Sequence, residues 1–284
     1  MSNFWARTIT GLSMVFLILA ALYLDRFFFA VIFLVVVILG LLEFYSITTT
    51  EKYKPQKISG TILGTLLYLG ISSYHFFQRP VQVVFPLFLF LPVLFTPFII
   101  ELFRKKDKPL INVAFTILGI IYVAFPLSLL NSMNDPQCGL AFKHFPTFLT
   151  MYFLITWIYD TGAYLVGKSF GKHKFFERIS PKKTWEGVIG GTIIALVAAF
   201  GFSFLADDRI HLVHLLILTL LIVIFGTFGD LTESLFKRDL NLKDSGKILP
   251  GHGGILDRFD TIFISAPFVL LYFLYLDICY IAIS

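Results

Sequence analysis

Charge is what this sequence has least of. Only 14% of its 284 residues are Asp, Glu, Lys or Arg, where a soluble domain carries about 25%. With a mean hydropathy of +0.83 and 34 phenylalanines, this scarcity argues against a soluble enzyme. Cysteine is nearly absent. Cys138 and Cys279 are too few for a disulfide framework, and two unrelated buried thiols are the plainer expectation. There is no Cys/His spacing for zinc. Also missing are a G-x-x-x-x-G-K-[ST] phosphate loop, a G-x-S-x-G nucleophile elbow and a helical H-E-x-x-H. These gaps remove the commonest soluble routes to nucleotide and ester chemistry.

What is present is apolar length. A hydrocarbon layer of about 30 Å takes roughly 20 helical residues to cross. The expected fold class is therefore all-α, a polytopic integral membrane protein with about nine transmembrane helices. The expected spans are 8–24, 27–47, 58–77, 81–101, 110–131, 147–167, 188–206, 210–230 and 260–281. The first run follows Arg7 but has no convincing small-residue cleavage site, and another span follows at once, so it reads as retained. Pro80, Pro86, Pro92 and Pro97 leave two readings of the fourth span: a membrane helix whose neighbours re-satisfy the freed backbone groups, or a kinked or partial helix.

Basic residues set the orientation. Counting the loops that fall on the N-terminal side of an alternating nine-span chain, 19 of the 23 Lys and Arg lie together. Arg26, Arg79, Lys143 and Arg209 fall opposite. This predicts a cytoplasmic N-terminus and an external C-terminus. It also accounts for the net charge of +5 without a nucleic-acid partner, because anionic headgroups attract cytoplasmic basic loops. A functional division follows: residues 1–146 carry few polar groups, whereas 147–284 hold every unusual polar constellation.

The densest constellation is "ESLFKRDLNLKDSGKILPGHGGILDRFD", Glu233 to Asp260. On a helix Asp230, Ser234, Lys237 and Asn241 share a face, with Arg238 at its edge. Asp230 ends an apolar run, where an ionisable group is costly and faces a bundle interior or a wet cavity. Gly251, Gly253 and Gly254 beside Pro250 break regular helix and can bring backbone N–H groups to a phosphate. Asp257 and Asp260, three apart, open the last span. Asp230, Asp257 and Asp260 thus bracket one loop as hard oxygen ligands suited to Mg²⁺, which shares substrate phosphates and keeps waters. Helix capping explains one of these acids, but not the nearby Lys237, Arg238, Lys243, Lys247 and Arg258. His252 suits a phosphate contact or acid–base role as well as a plain loop hydrogen bond. His75, His144, His211 and His214 have no evident partners in the sequence.

A second segment, "DTGAYLVGKSFGKHKFFERISPKKTWEG", runs from Asp160 to Gly187. Its lysines alone suit a basic segment lying on headgroups. Asp160 inside an apolar run, with Ser180 and Thr184, goes beyond that. Asp160, Lys168, Lys172, Ser180, Lys182, Lys183 and Thr184 are therefore candidate substrate-binding residues, together with Ser234, Lys243, Gly253 and Gly254.

These motifs resemble the signature of the phosphatidate cytidylyltransferases. The shared pattern is S-x-x-K-R, K-D-x-G, P-x-H-G-G and D-R-x-D, here Ser234 through Asp260. Gly229-Asp230, "SPKKTWEG" and "DTGAY" are similar too, and the resemblance covers roughly the last 130 residues. The D-G-x-x-A-R pattern of the CDP-alcohol phosphotransferases is absent. The resemblance implies transfer of CMP from CTP to phosphatidate, with pyrophosphate released, in a helical multi-span homodimer of the bacterial inner membrane. It implies divalent-metal binding by Asp230, Asp257 and Asp260, leaving open two metal ions with the second monovalent. Lys237, Arg238, His252 and Arg258 are the expected catalytic residues. An ion-coupled transporter and a CTP-dependent lipid kinase are the rival readings.

Overall fold

A computed structural model describes residues 3–77, 84–134, 148–205, 211–246, 248 and 253–283. Cys138, His144, Lys247, Pro250 and His252 lie outside the described residues, as do Arg79, Pro80, Lys143 and Arg209. The chain is helical nearly throughout. In order it forms α1 Asn3–Leu24, α2 Arg26–Thr48, α3 Lys57–Phe77, α4 Val84–Arg104, α5 Pro109–Gly119, a π-turn Ile120–Ala124 and α6 Phe125–Met133. Next come α7 Phe148–Phe170, strands β1 Lys174–Phe176 and β2 Ser180–Thr184, α8 Trp185–Ser203, α9 Leu212–Asp239 and α10 Leu256–Ile283.

Five stretches among the described residues are long and apolar enough to cross a membrane. They are Arg26–Thr48, Pro109–Met133, Trp185–Ser203, Leu212–Asp239 and Leu256–Leu276. The other four expected spans fall on α1, α3, α4 and α7, each a helix of 21 to 23 residues. Pro92 and Pro97 sit inside α4 without ending it.

Two compact units emerge. The first joins Met1–Ser132 to Leu240–Phe259, and the second joins Met133–Asp239 to Asp260–Ser284. In the first, Phe29, Phe33, Val37, Leu41 and Phe44 of α2 are buried. Polar groups there are satisfied by helix backbones: Tyr45 Oη donates to Thr116 O at 2.7 Å and Tyr68 Oη to Ala30 O at 2.8 Å. A buried polar atom in an apolar interior needs such a partner.

In the second unit α7 and α8 pack at close range because both present small residues. A Cβ on Gly191 would lie 2.8 Å from Ala163 N, and one on Gly187 would lie 2.8 Å from Ala163 O. The Gly187-x-x-x-Gly191 spacing is the small-residue pattern that lets membrane helices approach. α9 and α10 meet through Phe225 stacked on Phe268, ring centroids 3.7 Å apart. Two tyrosines of α7 reach them, Tyr152 to Ser265 Oγ and Tyr159 to Thr227 Oγ1, both at 2.5 Å. Each of those hydroxyls already donates to a carbonyl of its own helix, so the tyrosines are the donors.

Gly191→Leu should lower the thermal midpoint in detergent, by the equivalent of roughly 1–3 kcal/mol of overpacking. Gly201→Ala in the same helix has nothing within 4 Å and should leave the midpoint unchanged or raise it. Equal midpoints for Gly191→Leu and wild type would refute the tight α7–α8 contact.

Candidate functional site

In the second unit several candidate residues meet at one end of α9. Asp230 follows Gly229, where a Cβ would sit 2.4 Å from the carbonyl oxygen of Asp260. Only a glycine there lets α9 approach the start of α10, and that approach sets Asp230 among the carboxylates near Asp260. Asp230, Glu233 and Asp160 all place negative charge near Asp260. Asp260 Oδ1 accepts from Thr261 N at 2.7 Å.

Asp230 and Ser234 share a face as expected, and the ion pairs of this face run to residues outside it. Lys183 Nζ, from β2, stands 2.5 Å from Asp230 Oδ2, while Ser234 Oγ donates to Asp230 Oδ1 at 3.3 Å. Lys237 instead pairs with Glu233 at 2.6 Å, with only 3% of the Glu233 side chain exposed. Arg238 Nε donates to Ile179 O at 3.3 Å, tying α9 to the turn before β2. Asn241 does not extend the face: α9 ends at Asp239 and Asn241 turns left-handed at φ 55°.

The basic segment after α7 is a β-hairpin, an element not expected from the sequence. β1 and β2 pair antiparallel, with Lys174 opposite Thr184 and Phe176 opposite Ser180. Thr184 caps α8 by accepting from Gly187 N at 3.2 Å, which is the usual work of a threonine at a helix start. Glu186 in the first turn accepts from Lys172 N at 3.0 Å and from His173 N at 3.2 Å. It also pairs with His173 Nδ1 at 2.5 Å. Lys172, Lys174 and Lys182 are exposed, and Lys168 Nζ lies 5.9 Å from the centre of the Tyr164 ring. Asp160 is exposed and Ser180 partly so.

The remaining candidates belong to the first unit. Gly253 adopts a positive φ of 83°, and Gly254 N donates to Asp257 Oδ2 at 2.8 Å. Ser245 N and Oγ also reach Asp257 Oδ2, each at 2.9 Å. Lys243 and Arg258 are exposed. A residue not singled out from the sequence sits here as well. Glu43 of α2, 5% exposed, accepts from Ile255 N at 2.8 Å and from the Ser245 hydroxyl. The signal was one acid inside an otherwise apolar span, "LLEFY".

The pattern that defines the cytidylyltransferase family matches residues 5–276, nearly the whole chain. The chain belongs to the cytidylyltransferase family. The phosphatidate cytidylyltransferase of Bacillus subtilis is 37% identical over 260 residues, 86% of this chain and 93% of that protein. The Haemophilus influenzae phosphatidate cytidylyltransferase is 33% identical over 286 residues, 92% and 96% of the two chains. One from Staphylococcus aureus reaches 52% over 115 residues, 40% of this chain and 44% of its own.

Family membership raises the question of magnesium. Asp230 and Asp260 offer hard carboxylate oxygens, with Glu233 and Asp160 adding negative charge nearby. Among the described residues, no group of three or more His, Cys, Asp or Glu forms a ready metal-ion cage. Asp230 and Asp260 are the residues that could hold such an ion, as two carboxylates suit a cation like Mg²⁺ that keeps waters and takes the rest of its shell from other ligands.

Removing the Lys237 ammonium deprives the buried Glu233 of its ion pair. Lys237→Gln should destabilise the folded protein by about 3 kcal/mol. Adding Glu233→Gln to it should recover more than half of that loss in the same denaturation measurement. A single variant as stable as wild type would refute the pairing.

Proposed function

We propose that this protein transfers CMP from CTP to phosphatidate, giving CDP-diacylglycerol and pyrophosphate. The observation that carries the proposal is the likeness to phosphatidate cytidylyltransferases along most of the chain, in a sequence that holds the whole Ser234–Asp260 signature. The assembly we propose is a nine-span homodimer in a bacterial inner membrane, with the N-terminus and the reaction on the cytoplasmic side. Supporting that sidedness, 19 of 23 basic residues fall on one side of the expected spans.

The chemistry asks little of acid–base catalysis. Phosphatidate is anionic near neutral pH, so one of its phosphate oxygens attacks the α-phosphorus of CTP without a general base. The new P–O bond forms as the bond from that phosphorus to the pyrophosphate oxygen breaks, and pyrophosphate leaves with the electron pair. The obstacle is bringing two polyanions together, so positioning and electrostatic stabilisation dominate. Lys237, Arg238 and Arg258 are proposed to hold phosphate oxygens, with His252 as a further contact. Lys168, Lys172, Lys182, Lys183 and Lys243, with Ser180, Thr184 and Ser234, are proposed to gather the nucleotide and the lipid headgroup. Mg²⁺, when bound, neutralises phosphate charge, and Asp230 and Asp260 would hold it, with Asp257 the third acid that the signature supplies.

Purified protein given CTP, phosphatidate and Mg²⁺ should form CDP-lipid and pyrophosphate in equal amounts. Release of CDP would mean a lipid kinase, and absence of turnover would remove the proposal. Asp260→Asn and Asp257→Asn should each abolish turnover while the protein stays folded. Near-normal rates at saturating Mg²⁺ would count against the metal assignment. Replacing Lys182 and Lys183 by Gln should raise the KM for CTP. An unchanged KM would reduce that hairpin to a membrane anchor.

A further inference from the structure

Glu43 is an expensive residue to keep. It is 5% exposed on α2, a helix otherwise long and apolar enough to span a membrane, and a buried carboxylate is tolerated only with donors of its own. Its donors include groups at the two ends of one loop. The Ser245 hydroxyl reaches Oε1, and Ile255 N reaches Oε2 at 2.8 Å. The fit leaves no slack: a Cβ on Gly254 would lie 1.6 Å from Glu43 Oε1, and one on Gly246 would lie 2.8 Å from Glu43 Cδ.

Those loop ends are also the donors to Asp257. Ser245 N, Ser245 Oγ and Gly254 N all converge on Asp257 Oδ2, within 2.9 Å. The Ser245 hydroxyl therefore lies between the two carboxylates, within hydrogen-bond reach of both with one proton to give. Neighbouring contacts hold the same register. Phe33 of α2 meets Phe259 edge-on at 5.7 Å, and a Cβ on Gly40 would lie 3.5 Å from Ile255.

We infer that Glu43 is a positioning residue for the reaction: a clamp in the second helix that fixes Ser245 and Ile255 and, through Ser245 and Gly254, the carboxylate of Asp257. It touches no substrate in this scheme and acts only through the loop. The inference rests on the proposed reaction for its kinetic consequence, though not for the clamp itself.

The test uses the full-length protein in detergent, with Glu43→Gln and Ser245→Ala alone and combined. Hydrogen exchange of the unliganded protein reads the clamp without any turnover. In Glu43→Gln the amides of Ser245, Gly254 and Ile255 should exchange at least about tenfold faster, while α9 keeps its protection. In the proposed reaction kcat should fall by about 100-fold, the cost of a roughly 1 Å misplacement, with both KM values within about threefold. Ser245→Ala should give a smaller loss, and the double variant should be no slower than Glu43→Gln, because the two act as one unit.

Wild-type exchange and wild-type kcat in either folded variant would overturn the inference. So would a loss of kcat with loop protection intact, or a rise in KM alone. Should Glu43→Gln fail to fold, Ser245→Ala decides by the same two readings. Loss of loop protection in a protein that turns over neither substrate would leave the clamp standing and remove the proposed function.

Discussion

A carboxylate buried among apolar helices must take its donors from its own chain, and much of this structure follows from that. Water is not at hand, and an unsatisfied buried charge costs several kcal/mol. Glu43, Glu101 and Glu233 are each at most 7% exposed, and the first two fasten separate segments together. Glu101 of α4 accepts from Gln56 before α3, from Asn112 of α5 and from Arg104. Glu233 holds Lys237 one turn along α9. Glu43 holds a loop that lies some 200 residues later in the sequence. In a protein with so few charges, the buried ones are fasteners first.

The same constraint divides labour within the signature. Its acids are engaged from the protein side, Asp230 by Lys183 and Ser234, and Asp257 by Ser245 and Gly254. Its exposed cations, Lys243 and Arg258 among them, face outward. Long basic side chains can hold a charged head in water while their stems stay apolar. Such an arrangement suits a polyanion arriving from outside.

Much of the helical frame was legible from hydropathy alone, since length and apolarity act locally. The expected 27–47 became Arg26–Thr48, and 110–131 became Pro109–Met133. Pro92 and Pro97 of the fourth span sit inside α4, where a membrane helix tolerates them when neighbours re-satisfy the backbone. The β-hairpin was hidden because its strands are short and lysine-rich, lacking the alternating β-branched pattern that announces a strand. Asn241 was assigned to a helical face because periodicity carries no stop signal short of the left-handed turn itself. Glu43 was missed for another reason. One acid among apolar residues reads as an interfacial anchor, and nothing local says that its partners are Ser245 and Ile255.

The glycines show most clearly how far a residue type underdetermines a role. "PGHGGI" reads as flexible backbone able to present N–H groups to a phosphate. The amides of Gly254 and Ile255 point the other way, to Asp257 and Glu43. A donor spent on a buried carboxylate is not offered to a substrate, since one N–H makes one strong bond. Gly254 is then needed for its missing side chain, because any Cβ would collide with Glu43. Those two amides are engaged inward, so phosphate contacts at Gly254 and Ile255 would have to come from neighbouring side-chain cations. That is a consistent design for a site of polyanions: exposed charge on the long side chains of Lys243 and Arg258, beside backbone amides bonded to buried or half-buried carboxylates.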